Sequence, residues 1–292
     1  MAAPFAPFVC KHTLHDHTAS VTSLAFSPTG ERLMSGSEDR SLMIWKPLTG
    51  ILKHRIILKS AIISLAWDNA RKEHLFPGCI DGTLAVVENF QHQEPCNSVL
   101  TGTKALIFVV TVDANHGNIS VAIGSEIHMA KQIAPGFVST SLPDGLADLN
   151  TGKYTTFKIF PAPEGLPNTS KDTDNRIRGR ALAFRDRDTK LFVAYLNHGV
   201  ICWDVDGMQQ LWRIVPIHCH RLIGHTTILT SEQCVFISNL SDGVDMYTSG
   251  QSHPERRFKT PPIAPEGKLP SSTAGQLYYA EPGMAMCISG TF

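Results

Sequence analysis

Hydrophobic residues recur along this chain in short alternating runs separated by turn residues, the period-two signature of strands with a buried face. The clearest run lies within residues 15–50. Val21–Phe26 alternates, the turn Ser27-Pro28-Thr29-Gly30 follows, and Leu33-Met34-Ser35-Gly36-Ser37 resumes the pattern. An acidic turn then holds Asp39, and a further strand ends at Trp45. The same rhythm predicts strands near 20–26, 32–37, 41–46 and 53–58, then 61–67, 74–79, 83–88 and 97–101. It continues at 105–112, 118–123, 126–131 and 154–160, then 178–185, 190–196, 199–204 and 210–215. Strands near 225–230, 233–238, 243–248 and 255–260 follow, and the last two fall near 276–280 and 284–289. No convincing amphipathic helix interrupts the series.

The series is a repeat. Anchored on the second strand of each unit, Gly36, Gly78, Gly124, Ala194, Ser238 and Gly290 lie 42, 46, 70, 44 and 52 residues apart. A unit of about 40–45 residues cannot bury both of its faces alone, so each copy requires neighbours. The long interval is explained by loops. Residues 132–153 and 161–175 are rich in Pro, Gly, Ser and Asp, and they bracket the alternating stretch Tyr154–Phe160. A third loop, 261–272, lengthens the last interval.

Composition narrows the function. The 292 residues carry 26 Lys plus Arg against 26 Asp plus Glu, so the formal net charge is zero. That argues against generic binding to nucleic acid or anionic membranes, which needs a basic excess, though it leaves room for a local patch. Hydrophobic content of 42% and charged content of 18% fit a folded protein with much buried sheet. No run approaches the ~18 apolar residues of a membrane span, and the Met-Ala-Ala-Pro-Phe start lacks the pattern of a signal peptide. The seven cysteines, at 10, 79, 96, 202, 219, 234 and 287, are odd in number and form no CxxC. A disulfide framework or structural zinc is therefore not expected, and free thiols suit a reducing intracellular compartment, cytoplasmic or nuclear.

With its lead-in His17, second-strand Ser35, turn Asp39 and third-strand Trp45, the stretch 15–50 resembles one blade of the WD-repeat family of β-propellers. In that family a buried tetrad locks the blade: the His bonds the Ser, the Ser bonds the indole N–H, and the Asp holds the other side of the His. By resemblance, His17, Ser35, Asp39 and Trp45 take these structural roles. Such a network makes physical sense, because a buried imidazole and indole N–H both need partners. The other units keep the spacing and lose the motif. Asp16-His17 replaces Gly-His and Trp45-Lys46 replaces Trp-Asp. The second unit keeps Asp81-Gly82 but has Pro77 and Val87 at the Ser and Trp positions. The fourth keeps Trp203-Asp204 with Asn197 at the Asp position. The fifth keeps Gly224-His225 but carries Tyr247 at the Trp position, and the third retains almost nothing.

The resemblance implies an all-β fold, a single propeller domain over 1–292. Its blades fall near 15–58, 60–101, 104–160, 176–215, 222–260 and 272–292. Only Thr291 and Phe292 follow Gly290, so the sixth blade is expected to be incomplete, with imperfect closure or a truncated propeller as the result. Phe8–Leu14 is the segment expected to supply its outermost strand.

Function is expected to be binding rather than chemistry: a non-catalytic scaffold or adaptor for protein or peptide partners. The resemblance places partner contacts on the lead-in and second-turn loops, which selects Ser20, Glu38, Arg40, Lys59, Lys104, Arg176, Arg178 and Arg180. Arg176, Arg178 and Arg180 alternate with Ile177 and Gly179, so they could project together toward carboxylates or phosphates. The basic stretch running on through Arg185, Arg187 and Lys190 supports an alternative, RNA or phosphate binding. A propeller enzyme is a weaker alternative, since no GxSxG, HExxH, phosphate-binding loop or GxGxxG occurs. The His-rich stretches at His12, His15 and His17 and at His218-Cys219-His220 lack a full ligand set at metal spacing, and no cofactor or small-molecule substrate is expected.

Overall fold

The computed structural model describes residues 11–68, 73–88, 90, 97–100, 104–113, 115, 117–131, 158–164, 176–185, 187–216, 223–229, 234–239, 243–259, 274–279 and 285–290. All regular elements among them are β-strands. β1 (Val21–Phe26), β2 (Leu33–Ser37), β3 (Ser41–Lys46) and β4 (Ile51–Ile57) form blade one, with each strand hydrogen-bonded to the next. Blade two repeats the order with β5 (Ile62–Trp67), β6 (His74–Cys79), β7 (Thr83–Glu88) and β8 (Asn97–Leu100). Blade three is β9 (Ile107–Val112), β10 (Ile119–Ile123), β11 (Glu126–Ala130) and the two-residue β12 (Lys158–Ile159). Blade four is β13 (Gly179–Arg185), β14 (Lys190–Tyr195), β15 (Gly199–Asp204) and β16 (Gln210–Ile214). Blade five is β17 (Ile223–Leu229), β18 (Cys234–Asn239), β19 (Gly243–Thr248) and β20 (Arg256–Lys259). A two-stranded sheet of β21 (Ala274–Tyr279) and β22 (Ala285–Gly290) follows.

Burial explains the strand sequences. β2 is buried along its whole length, because both of its faces are covered, whereas β4 alternates exposed and half-buried at the outer edge. Apolar side chains fill the spaces between successive sheets. Met34, Leu42 and Ile44 of blade one meet Ile62, Leu65 and Trp67 of blade two. Phe76, Leu84 and Val86 then meet Ile107 and Val110, and Ile127 and Met129 meet Leu182 and Phe184. Finally Ala194, Val200 and Cys202 meet Ile223 and Val235.

This stacking sets a size limit at one position per blade. A methyl group added to Gly36 would stand 2.6 Å from Ile62 Cγ2, and one on Gly78 would stand 2.5 Å from Ile107 Cγ2. The innermost strand of the next blade passes too close for a side chain. In the strand registers the same position is Ala122 in blade three, Ala194 in blade four and Ser238 in blade five, all small. This corrects one anchor: Gly124 is not the third-blade counterpart of Gly36. It sits two residues later, in the second turn, with φ of +56°.

Each innermost strand also carries a bulge near its start. The register skips Thr22, Ile63, Phe108, Arg180 and Gly224 in blades one to five. A bulge adds an unpaired residue and increases the local twist, which suits a strand that must turn into the centre of a stack. In blade one the extra residue joins two sheets, for the Thr22 hydroxyl lies 3.0 Å from Gly36 O and 2.6 Å from Ile62 O.

Three further expectations meet the structure here. Lys11–Leu14 forms no strand; Leu14 packs beside Leu33, Met43 and Trp45 of blade one, and His12 Nε2 lies 3.0 Å from Leu48 O. Phe8–Cys10, the rest of the segment expected to complete the last blade, lies outside the described residues. So do the loops 132–153 and 261–272 and most of 161–175. Gly224-His225 is not a lead-in pair, since both residues lie inside β17 and His225 pairs with Ser238.

Candidate partner-binding face

One backbone hydrogen bond recurs at the same end of four blades. The N–H of Glu38 donates to Ser20 O at 3.0 Å, that of Ile80 to Ala61 O at 3.0 Å, that of Gly124 to Leu106 O at 3.0 Å, and that of Leu196 to Arg178 O at 2.8 Å. Each second turn thereby clasps the residue just ahead of its innermost strand. The lead-in loops and second turns of blades one to four form one face.

In blade one this clasp is backed by a polar network. Trp45 Nε1–H donates to Ser35 Oγ at 2.9 Å, and Ser35 Oγ lies 2.7 Å from His17 Nε2. His17 Nδ1 lies 3.1 Å from Asp39 Oδ2 and 2.9 Å from Ser41 Oγ. Every donor finds an acceptor if the imidazole carries its proton on Nδ1: indole to serine, serine to Nε2, Nδ1–H to carboxylate. Asp39 also accepts the N–H groups of Thr18 and Ser41, each at 2.8 Å, and the Ser41 hydroxyl. Burial alone would raise the Asp39 pKa. The bonds from Ser41, Thr18 and His17 outweigh burial and hold the carboxyl well below the usual carboxylate range.

The other blades solve the same problem differently. Val193 stands where blade one has Ser35, so the buried Trp203 indole N–H has no serine partner and lies beside the Tyr195 hydroxyl instead. The Tyr195 hydroxyl, also buried, has its pKa raised by burial; its contact with Trp203 and the charge of Arg213 only partly oppose the rise. In blade five Tyr247 pairs with Val235 as Trp45 pairs with Leu33, and burial reinforced by Asp245 pushes its phenol up to about 12. Among the described residues no serine–histidine–aspartate relay of the blade-one kind holds these aromatics.

The eight sequence-predicted contact residues gather at this end, with different exposure. Glu38, Arg40, Lys59, Lys104 and Arg176 are exposed, while Ser20, Arg178 and Arg180 are half-buried. Arg40 takes the left-handed conformation, φ 68°, and its carbonyl accepts the Leu58 N–H at 2.9 Å, which fixes Lys59 beside it. The arginine trio does not project as one strand face. Residues 176–178 precede β13, and Arg180 is the bulged residue with its Nε buried. Burial, and then the charge of Arg178, lowers the Arg180 pKa. The longer basic stretch is divided as well. Arg185 pairs with Lys190 at the far end of β13, a strand of 7 residues. At about 3.3 Å per residue that is about 20 Å from the lead-in face, so residues 176–190 form no single basic surface.

Two exposed apolar side chains on this face had no distinct sequence signal. Val21 and Ile80 are 44% and 52% exposed, at the start of β1 and in the second turn of blade two. Their apolar character looked like ordinary strand pattern. His15 is exposed in a non-strand segment and His17 is engaged in the network. Among the described residues no group of His, Cys, Asp and Glu could hold a metal ion, and His218, Cys219 and His220 lie outside them. The buried His74, with Nε2 2.6 Å from Glu88 Oε1 and Nδ1 3.5 Å from Asp68 Oδ2, ties strand ends of blade two away from this face. No helix among the described residues is long and apolar enough to cross a membrane.

Comparison with known proteins agrees with this architecture. The family model described as WD domain, G-beta repeat matches residues 8–46. Protein Mut11 of Chlamydomonas reinhardtii is 45% identical over 47 residues, a stretch covering 16% of this chain and 13% of that protein's length. COMPASS component SWD3 of Saccharomyces cerevisiae is 25% identical over 242 residues, 77% of this chain and 71% of that protein. The β-propeller domain of Myceliophteria thermophila Cps50 (Swd1) superposes with a TM-score of 0.59 at 14% identity, covering 80% of this chain and 66% of that one. The matched first repeat, the blade-by-blade strand order and the propeller likeness lead to one conclusion: the chain carries a WD repeat within residues 8–46 and has a β-propeller fold.

Proposed function

We propose that this chain is a non-catalytic scaffold that holds protein partners on its lead-in face. The observation that carries the reading is the recurring clasp at Ser20, Ala61, Leu106 and Arg178, which presents side chains of four successive blades on one surface. Those side chains are a mixture of exposed cations, Glu38 and the apolar Val21 and Ile80, a composition suited to a protein surface. The relatives support partnership, since SWD3 is by its name a component of COMPASS. The division of the 176–190 basic stretch between two ends of blade four removes the main support for an RNA-binding reading.

The test compares partners recovered by affinity purification from cells. One variant disrupts the lead-in face of blade one (Ser20→Arg, Glu38→Lys, Arg40→Glu), and another changes the exposed outer strand β4 (Lys53→Glu, Arg55→Glu). The lead-in variant is expected to lose most stoichiometric partners while the β4 variant keeps them. Equal recovery by both, or loss confined to the β4 variant, overturns the assignment of function to this face.

A further inference from the structure

The lead-in loops of blades two, three and four share a feature that appears only once their registers are aligned by the clasp. Two residues ahead of each clasped carbonyl stands an exposed cation: Lys59 ahead of Ala61, Lys104 ahead of Leu106, and Arg176 ahead of Arg178. Blade one has the uncharged Thr18 in that place, and its N–H is bonded to Asp39. The three cations therefore repeat at one structural position over three adjoining blades. Arg178 and the bulged Arg180 add charge beside the third of them, and Arg178 is close enough to depress the ionisation of Arg180.

The carboxylates at this end of the same blades are few and engaged. Among the described residues they are Asp81, which accepts the N–H of Thr83 at 3.0 Å, Glu126, which lies 2.8 Å from His128 Nε2, and the exposed Glu164, whose charge acts on that of Arg213. The chain is neutral as a whole, so this cluster is a local departure from its average. We propose that the lead-in face of blades two to four docks an acidic, Asp- and Glu-rich segment of a protein partner, with Lys59, Lys104 and Arg176 as its successive contacts. The proposal rests on the scaffold reading and adds the chemistry of the partner.

Geometry favours an extended peptide. Face-to-face sheets stack about 10 Å apart, so three equivalent positions span about 20 Å, the reach of about six extended residues. The neighbouring exposed side chains favour peptide over RNA. Val21 and Ile80 are aliphatic, whereas single-stranded nucleic acid is held by aromatic faces. The exposed aromatic Phe258 lies on the outermost strand β20.

Fluorescence anisotropy of the full chain with a labelled Glu-rich peptide tests the proposal, using the same peptide with Gln for Glu and a single-stranded RNA as separate arms. The wild type is expected to bind the Glu peptide, to weaken as salt rises, and to ignore the Gln peptide. Lys59→Glu, Lys104→Glu and Arg176→Glu together are expected to weaken binding about tenfold or more. The control set Lys46→Glu, Lys53→Glu and Arg55→Glu changes net charge equally at other exposed sites and is expected to leave binding within about twofold. Unchanged circular dichroism separates lost contacts from lost folding. Equal binding by the two variant sets, no binding by the wild type, or tighter binding of RNA than of the Glu peptide overturns the proposal. If affinity purification still shows partners lost from the blade-one variant, the scaffold reading survives that failure; if neither assay responds, both fall.

Discussion

At the scale of single residues, the blade-one network predicts a cost for a small change. Ser35 Oγ accepts the Trp45 indole N–H and lies 2.7 Å from His17 Nε2, so it serves two buried partners. Ser35→Ala should therefore cost about 1–3 kcal/mol, because it leaves both partners without their shared hydroxyl. Denaturant unfolding of the variant measures the loss, and a harmless Ser35→Ala would remove the network from the account. Asp39 adds a pH dependence of known sign. Its folded pKa lies below the ordinary 3.8, so its contribution is complete above that value and is lost as pH falls toward the lowered one. In the same unfolding series, Asp39→Asn should be less stable than wild type at neutral pH and should narrow the gap as acid is added. The four members of the network, His17, Ser35, Asp39 and Trp45, were legible because the stretch 15–50 resembles a WD-repeat blade, whose tetrad falls on those positions. The pair Tyr195 and Trp203 was not legible, because aromatics that meet across neighbouring strands without the blade-one motif look in sequence like any other strand residues.

Elements are governed by the spacing between sheets. Gly36, Gly78, Ala122, Ala194 and Ser238 occupy one position, and the gaps of 2.6 and 2.5 Å that a methyl group would leave at the first two show why it stays small. Gly36→Val should destabilise by about 1–3 kcal/mol through overpacking against Ile62 and Leu65, despite the better strand propensity of valine. Val21→Ala, at a 44% exposed site of the neighbouring strand, should change stability far less; thermal unfolding of the pair decides, and a harmless Gly36→Val would mean that the blades separate easily. Strand positions could be read from the sequence because alternation is a local property. The third-blade anchor could not. Its second turn has only Gly124 and Ser125 between β10 and β11, where blade one has Glu38, Asp39 and Arg40, so a glycine two residues late took the place of Ala122. The bulges were also invisible, since Thr22, Ile63, Phe108, Arg180 and Gly224 have nothing in common as residue types.

For the molecule as a whole, a surface shared by several blades needs each lead-in loop held at the same height, and the clasp at Glu38, Ile80, Gly124 and Leu196 supplies that in backbone atoms alone. This explains how the chain keeps one face although the four-residue polar network is found in blade one and not in the described residues of blades two to five. Side chains at that end are then free to diverge, which is how Thr18, Lys59, Lys104 and Arg176 come to share a position. Sequence order suggests a different grouping, the run of basic residues at 176–190. Folding splits that run between the two ends of β13 and draws Lys59 and Lys104 in from distant parts of the chain. Hydrogen exchange of the chain with and without a purified partner tests the central claim most directly. The account predicts slowed exchange in the lead-in segments around Ser20, Ala61, Leu106 and Arg178 and in the second turns they meet, with the outer strands β4 and β16 unchanged. Protection confined to β4 and β16, with the lead-in segments unaffected, would contradict it.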